Sequence, residues 1–91
     1  MAIATSAKRT VTITNPAGLH ARPSAAIAQA VRRFRSTVQI RSGSQMVDAG
    51  SILELLTLGA TQGSSLVLTA KGPDAEQALD AVVAELAKHY E

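Results

Sequence analysis

His20 and Arg22 stand two apart in the segment Asn15–Ser24, NPAGLHARPS, between Gly18 and Pro23. Neither residue type helps to bury a core, and both have the chemistry to handle an anion. An imidazole titrates near neutrality, so a neutral ring nitrogen is available at pH 7 as a nucleophile able to accept a phosphoryl group. A guanidinium two residues on offers a planar fork of donors to the oxygens of that group. Hydrolytic chemistry fits less well: the chain has no cysteine, no Gly-x-Ser-x-Gly turn and no evident carboxylate to orient the histidine. Metal binding has only His20 and the distant His89 to draw on, and His89 is accounted for by the favourable field at a helix C-terminus. The expected chemistry requires no metal and no organic cofactor. Taken alone, a His-x-Arg pair is most often a helix start followed by a solvated charge, so its place in the fold decides the matter.

A second informative stretch is Asp48–Gly63, DAGSILELLTLGATQG. Ser51 and Glu54 have the S-x-x-E spacing of a capping box, and that role alone justifies the serine. At ~100° per residue, Ile52, Leu53 and Leu56 gather on one side while Leu55 and Leu58 point to another. The apolar arc exceeds half the circumference. Such a short helix is either sunk deeply among its neighbours or presents an apolar patch for docking another protein. Arg32, Arg33 and Arg35 read first as a solvated helix end; as a functional feature they would steer an acidic partner.

The elements that position these residues follow from periodicity. RTVTIT (Arg9–Thr14) alternates strictly, with Val11 and Ile13 on one face, and reads as a strand. NPAG supplies turn chemistry, Pro16 fixing φ and Gly18 free to take a positive φ. From Ala21 to about Arg35 the apolar spacing becomes three and four, through Ser24, Ile27, Ala28, Val31 and Phe34. This amphipathic helix begins just after His20, where unpaired amides and the positive end of the dipole stabilise an anion. Pro23 is tolerated in its first turn and stiffens it.

STVQIRS and QMVDA read as a hairpin, SILELLTLG as a brief helix closed by Gly59, and SSLVLTAK as another strand. The final segment, GPDAEQALDAVVAELAKHYE, reads as a helix with a capping box at Asp74 and Gln77 and a buried stripe of Ala75, Leu79, Val82, Leu86 and Tyr90. The order is βαββαβα. The expected fold is α+β: an open-faced two-layer sandwich, a four-stranded antiparallel sheet covered on one face by three helices. Met1 to Lys8 and Glu91 are expected to fray.

Length and composition set the outer bounds. Ninety-one residues make a single domain, 1–91, with 46% apolar and 18% charged residues. Nine basic against seven acidic residues, a net charge of +2, is too mild to imply nucleic-acid binding, and one Phe and one Tyr leave no stacking platform. No run approaches the length of a membrane span and the start lacks a secretory h-region. A cytoplasmic monomer with no membrane insertion is expected.

Taken together, NPAGLHARPS resembles the active-site signature of the histidine-containing phosphocarrier (HPr) family of the bacterial phosphoenolpyruvate phosphotransferase system. SILELLTLGATQG resembles its second signature, and the likeness runs from Arg9 onward. The resemblance implies a stoichiometric carrier rather than an independent enzyme, taking a phosphoryl group from phosphorylated Enzyme I on the histidine Nδ1 and passing it to a IIA protein or domain. His20 matches that histidine and Arg22 the arginine that attends the phosphate. Ser51 matches a serine that HPr kinase/phosphorylase modifies in many members; a phosphate there would add charge beside the apolar patch. Ile52, Leu53 and Leu56, with Ser24 and Arg32, match the partner interface. Ser24 stands where alanine is usual, Gly50 where many members carry lysine, and Gln29 and Glu54 where well-known sugar-branch carriers are basic. These departures leave open a nitrogen-type regulatory branch (NPr-like). A module that uses the helix after Ser51 for interaction without transfer is the rival reading, and a small-ligand regulatory domain a weaker third.

Overall fold

In the computed structural model, which describes residues 5–88, the chain runs β1 (Ser6–Thr12), α1 (Ala21–Val31), β2 (Thr37–Ser42), β3 (Gln45–Asp48), α2 (Ile52–Thr57), β4 (Ser65–Lys71) and α3 (Ala75–Ala87). The strands form one antiparallel sheet in the order β1-β4-β2-β3. This is the expected βαββαβα open-faced sandwich.

Alternation drives each strand onto the core. Ala7, Val38, Ile40, Val47, Leu66, Leu68 and Ala70 are buried on the covered face, with Val11 packed against them. The helices answer with Ile27, Ala28 and Val31 from α1, Leu55 from α2, and Ala75, Ala78, Leu79, Val82 and Leu86 from α3. The closing pair Ser42↔Gln45 leaves a two-residue turn whose first residue, Gly43, has φ 61°, as hairpins that follow the sheet twist favour.

Four expectations need correction. The segment expected to fray before Arg9 is ordered from Ser6, because Ser6, Ala7 and Lys8 pair with Lys71, Ala70 and Thr69 of β4. α1 stops at Val31, not near Arg35: the Arg33 and Phe34 amides donate back three residues, to Ala30 and Val31, so the chain tightens out of the α-helix. Phe34 still packs on the core, but from that turn.

Asp74 does not cap α3. Its carboxylate accepts the Arg35 amide at 3.0 and 3.1 Å and the Ser36 hydroxyl at 2.6 Å, fastening the α1–β2 connection to the start of α3. Those hydrogen bonds, Ser36 first and the Arg35 amide second, hold its pKa below the ordinary aspartate value. Gly72 lets the two loops meet, since a Cβ there would lie 2.5 Å from Ser36 Oγ and 2.9 Å from Arg35 O. Lastly, the Ser51–Glu54 capping box is half formed. Ser51 Oγ accepts the Glu54 amide at 3.3 Å, but Glu54 Oε1 takes the Asp48 amide at 3.1 Å rather than that of Ser51, which donates to Asp48 O. Tyr90, assigned to the α3 stripe, and His89 lie outside the described residues.

Candidate functional site

The His20 segment is shaped by a turn and a close approach. Asn15, Pro16, Ala17 and Gly18 form a turn in which the Gly18 amide donates to Asn15 O at 2.9 Å, with the residue types a type I turn prefers at its first, second and fourth positions. Asn15 is buried and its Oδ1 accepts the Ala17 amide at 3.1 Å. Gly18 has φ 71°, and a Cβ on it would lie 2.5 Å from Ala60 O. Glycine is therefore needed twice over, for conformation and for space.

The Leu19 amide then donates to Ala60 O at 2.9 Å, Gly63 donates to Ile13 O and Ile13 to Ser64 O. Gln62 Nε2 reaches Thr14 O at 3.2 Å. The two stretches singled out in the sequence, 15–24 and 48–63, are thus bonded to one another. The ATQG end of the second serves as the floor of the first, a role that nothing in its local pattern announces.

His20 is the N-cap residue of α1, with extended backbone (φ −89°, ψ −168°) and no side-chain cap on its own helix. Its carbonyl accepts the Ser24 amide at 3.0 Å, and Pro23 has no amide to offer. The residues whose amides open the helix ahead of Ser24 are Ala21 and Arg22. The His20 ring is half-buried with Nε2 enclosed. Arg22 is exposed on the same first turn. Ser24, expected at the partner interface, has no exposed surface: it is fully buried, with Oγ 3.5 Å from Leu19 O, and supports the segment from beneath.

α2 divides its leucines cleanly. Leu55 is fully buried and Leu58 nearly so, whereas Leu53 is 77% and Leu56 40% exposed. Ile52 is half-buried against the core. The apolar excess read from the sequence is real, and its exposed part is Leu53 and Leu56.

α2 lies alongside α1 and runs antiparallel to it. The loop leaving α2 is tied to Leu19 at the start of α1, and Gly50 just before α2 is tied to Arg32 at the end of α1. Ser51 is therefore separated from the His20 end by the length of α2, ~9 Å for six helical residues. Arg32, expected at the partner interface, is exposed, and its guanidinium holds Gly50 O through Nε at 3.2 Å and Nη2 at 3.0 Å.

Among the described residues no cluster of His, Cys, Asp or Glu is arranged to hold a metal ion, and no helix is long and apolar enough to cross a membrane. Two shallow depressions open on the uncovered sheet face, one lined by Lys8, Gln39, Arg41, Met46, Val67 and Thr69, the other by Thr37, Gln39, Thr69 and Lys71. Neither includes His20 or Arg22.

The comparisons with known proteins agree with this fold. The family described as PTS HPr component phosphorylation site matches residues 7–88. The chain is 40% identical over 83 residues to the phosphocarrier protein HPr of Cupriavidus necator, covering 91% of this chain and 93% of that one. It is 47% identical over 64 residues to a multiphosphoryl transfer protein of Xanthomonas campestris, covering 70% of this chain and only 8% of that much longer protein. Among solved structures, the phosphocarrier protein HPr of Bacillus anthracis superposes with a TM-score of 0.83 at 34% identity, over 88% of this chain and 95% of that one. With fold, signature segments and relatives in agreement, the chain belongs to the HPr phosphocarrier family of the phosphotransferase system.

Proposed function

We propose that His20 is the residue on which this phosphocarrier holds its phosphoryl group. The observation that carries the reading is the placement of a histidine, with no side-chain cap, at the mouth of α1. Nε2 is enclosed, so the nitrogen that attacks is Nδ1. A P–N bond forms there as the bond between phosphorus and the phosphorylated Enzyme I breaks, and the reverse exchange delivers the group to a IIA protein or domain. The negative charge of phosphohistidine is met by the positive end of the helix and by the Arg22 guanidinium. One chain carries one phosphoryl group, in the cytoplasm, and the acceptor branch, sugar or nitrogen-type, is set by the partner present.

Leu53 and Leu56, with Ile52 at their edge, supply an exposed apolar surface on which a protein partner docks. A phosphate placed on Ser51 by an HPr kinase/phosphorylase would act on this surface and not on His20 itself, because α2 separates the two. It would add a dianion to the hydroxyl oxygen that now accepts the Glu54 amide, at the opening of α2, and would charge the edge of an apolar contact.

Incubation with Enzyme I and phosphoenolpyruvate is expected to give an acid-labile phosphate on the wild-type chain and none on His20→Ala. A competent Enzyme I that leaves the wild type unlabelled defeats the proposal. The exposed leucines also support a module that binds without transferring. That reading requires His20→Ala to retain biological function while Leu53→Glu abolishes it.

A further inference from the structure

α2 has only six residues, too few to hold an orientation of its own; a helix of that length takes its direction from its surroundings. Leu55 and Leu58 pin its inner side and the Leu19–Ala60 bond pins the loop that leaves it. The turn that enters it, Asp48–Ser51, is held by local bonds: Gly50 N–H to Asp48 Oδ1 at 2.9 Å, Ser51 N–H to Asp48 O at 3.1 Å, and Asp48 N–H to Glu54 Oε1 at 3.1 Å. All of these join residues of the same short stretch; Ala49 N–H, donating to Val38 O at 2.9 Å, fastens the turn to β2, but neither it nor the local bonds tie the turn to α1.

The polar link from that turn to another helix is Arg32. It is the C-cap residue of α1, its own amide donating to Ala28 O at 3.2 Å, and its side chain crosses to Gly50 O with two donors. Two donors of a planar guanidinium on one carbonyl constrain direction as well as distance, which a single point donor does not. Arg33 and Arg35, close by in sequence and also exposed, have no side-chain hydrogen bond among the described residues. The three arginines that look alike in the sequence are therefore not equivalent.

We infer that Arg32 is a positioning residue for phosphoryl transfer: by gripping the Gly50 carbonyl it locks the entrance of α2 to the far end of α1, holding Leu53 and Leu56 at a set distance from His20. The inference rests on the reading of His20 as the phosphoryl-bearing residue and of α2 as the docking helix. Arg32 touches neither the phosphoryl group nor, in this role, the partner. Its effect is on how well the docking patch and the histidine are presented together, so it governs the KM for the carrier and leaves kcat in place.

The test uses the full chain with Enzyme I and phosphoenolpyruvate, and Arg32→Met, which keeps the aliphatic stem and removes the donors. The KM for the carrier is expected to rise about 5- to 10-fold with kcat within about twofold. In a Leu53→Ala background the same change is expected to shift KM by less than about twofold, because the patch being positioned is already gone. Arg33→Ala, which removes an equal charge with no hydrogen bond, measures the contribution of charge alone. Hydrogen exchange of the Ser51–Leu55 amides, read without Enzyme I, is expected to accelerate in Arg32→Met while the Leu19 amide is unchanged.

Additive effects of Arg32→Met and Leu53→Ala, or an Arg32→Met shift no larger than that of Arg33→Ala and removed by salt, overturn positioning in favour of simple steering. Unchanged exchange in α2 overturns it as well. A wild-type chain that takes no phosphoryl group defeats the assignment of His20 instead, and exchange still decides whether Arg32 holds α2.

Discussion

At the start of α2, Ser51 turns its hydroxyl onto the Glu54 amide and the next residues complete a short, closed turn. At the start of α1, His20 leaves its helix without a side-chain cap, and Pro23 stiffens the turn while contributing no donor. The first arrangement follows the usual rule for helix stability. The second gives up roughly 1 kcal/mol that a serine, asparagine or aspartate at the same position would supply. That local deficit is offset by tertiary bonds from the neighbouring Leu19 to Ala60 and by the buried Asn15 turn. The difference teaches that a helix opening can be held from outside, by bonds of neighbouring residues to another segment, and not by a cap of its own side chain.

The strongest way to break this comparison is to cap α1. His20→Asn is expected to abolish phosphoryl labelling by Enzyme I completely while raising unfolding stability by about 0.5–1 kcal/mol. Denaturant unfolding and the labelling assay together check it. A variant that loses labelling and also loses several kcal/mol would show that His20 belongs to the architecture and that the comparison is mistaken.

Next in size is the support beneath the site. Gly18→Ala places a methyl group 2.5 Å from Ala60 O at a φ of 71°, and the left-handed conformation alone costs about 1–2 kcal/mol. With the displaced contact added, a loss of about 2–4 kcal/mol is expected. Thermal unfolding measures the loss, and the Leu19 amide, freed from Ala60, is expected to exchange faster than in the wild type. Preserved stability would mean that the 59–64 loop is not what holds the His20 segment.

Ser51→Ala examines the other half of the comparison. Removing the hydroxyl that accepts the Glu54 amide is expected to cost about 1 kcal/mol in chemical unfolding. Phosphoryl transfer to His20 is expected to be nearly unchanged, since the helix is also held by Leu55, Leu58 and Arg32. A large loss of transfer would tie the two helix starts together more closely than the ~9 Å length of α2 implies.

These contrasts also show how far the sequence carries. Alternation in β1, β2 and β4, the two-residue spacing at Gly43 and the position of His20 just ahead of α1 were legible because each is a property of neighbouring residues. The wide apolar arc of α2 was legible too, but it left burial and exposure open, and only the packing shows Leu53 and Leu56 exposed. The end of α1, the burial of Ser24 and the grip of Arg32 on Gly50 were not legible, because each depends on what another segment brings alongside. Arg32, Arg33 and Arg35 are the plainest case: three equal charges in sequence, one of them committed 18 residues away. No periodicity distinguishes them.

The smallest expected effect concerns the third helix start. Asp74 precedes α3 in the position of a capping residue, yet its carboxylate serves Ser36 and Arg35 across the fold. Those bonds depress its pKa in the folded chain, so the ionised form is favoured by folding. The stabilisation is complete above the ordinary aspartate value of ~3.9 and is lost as the pH falls through the lower folded value, where the carboxyl takes up its proton. Asp74→Asn keeps an acceptor and removes the charge. Its melting temperature is expected to lie modestly below that of the wild type at pH 7, and the gap is expected to close as the pH is lowered below about 4. A gap that persists unchanged in acid would show that shape and not charge joins the α1–β2 connection to α3. A helix-start residue can thus keep its local position while its side chain is given to another segment, which places Asp74 between the self-capped Ser51 and the uncapped His20.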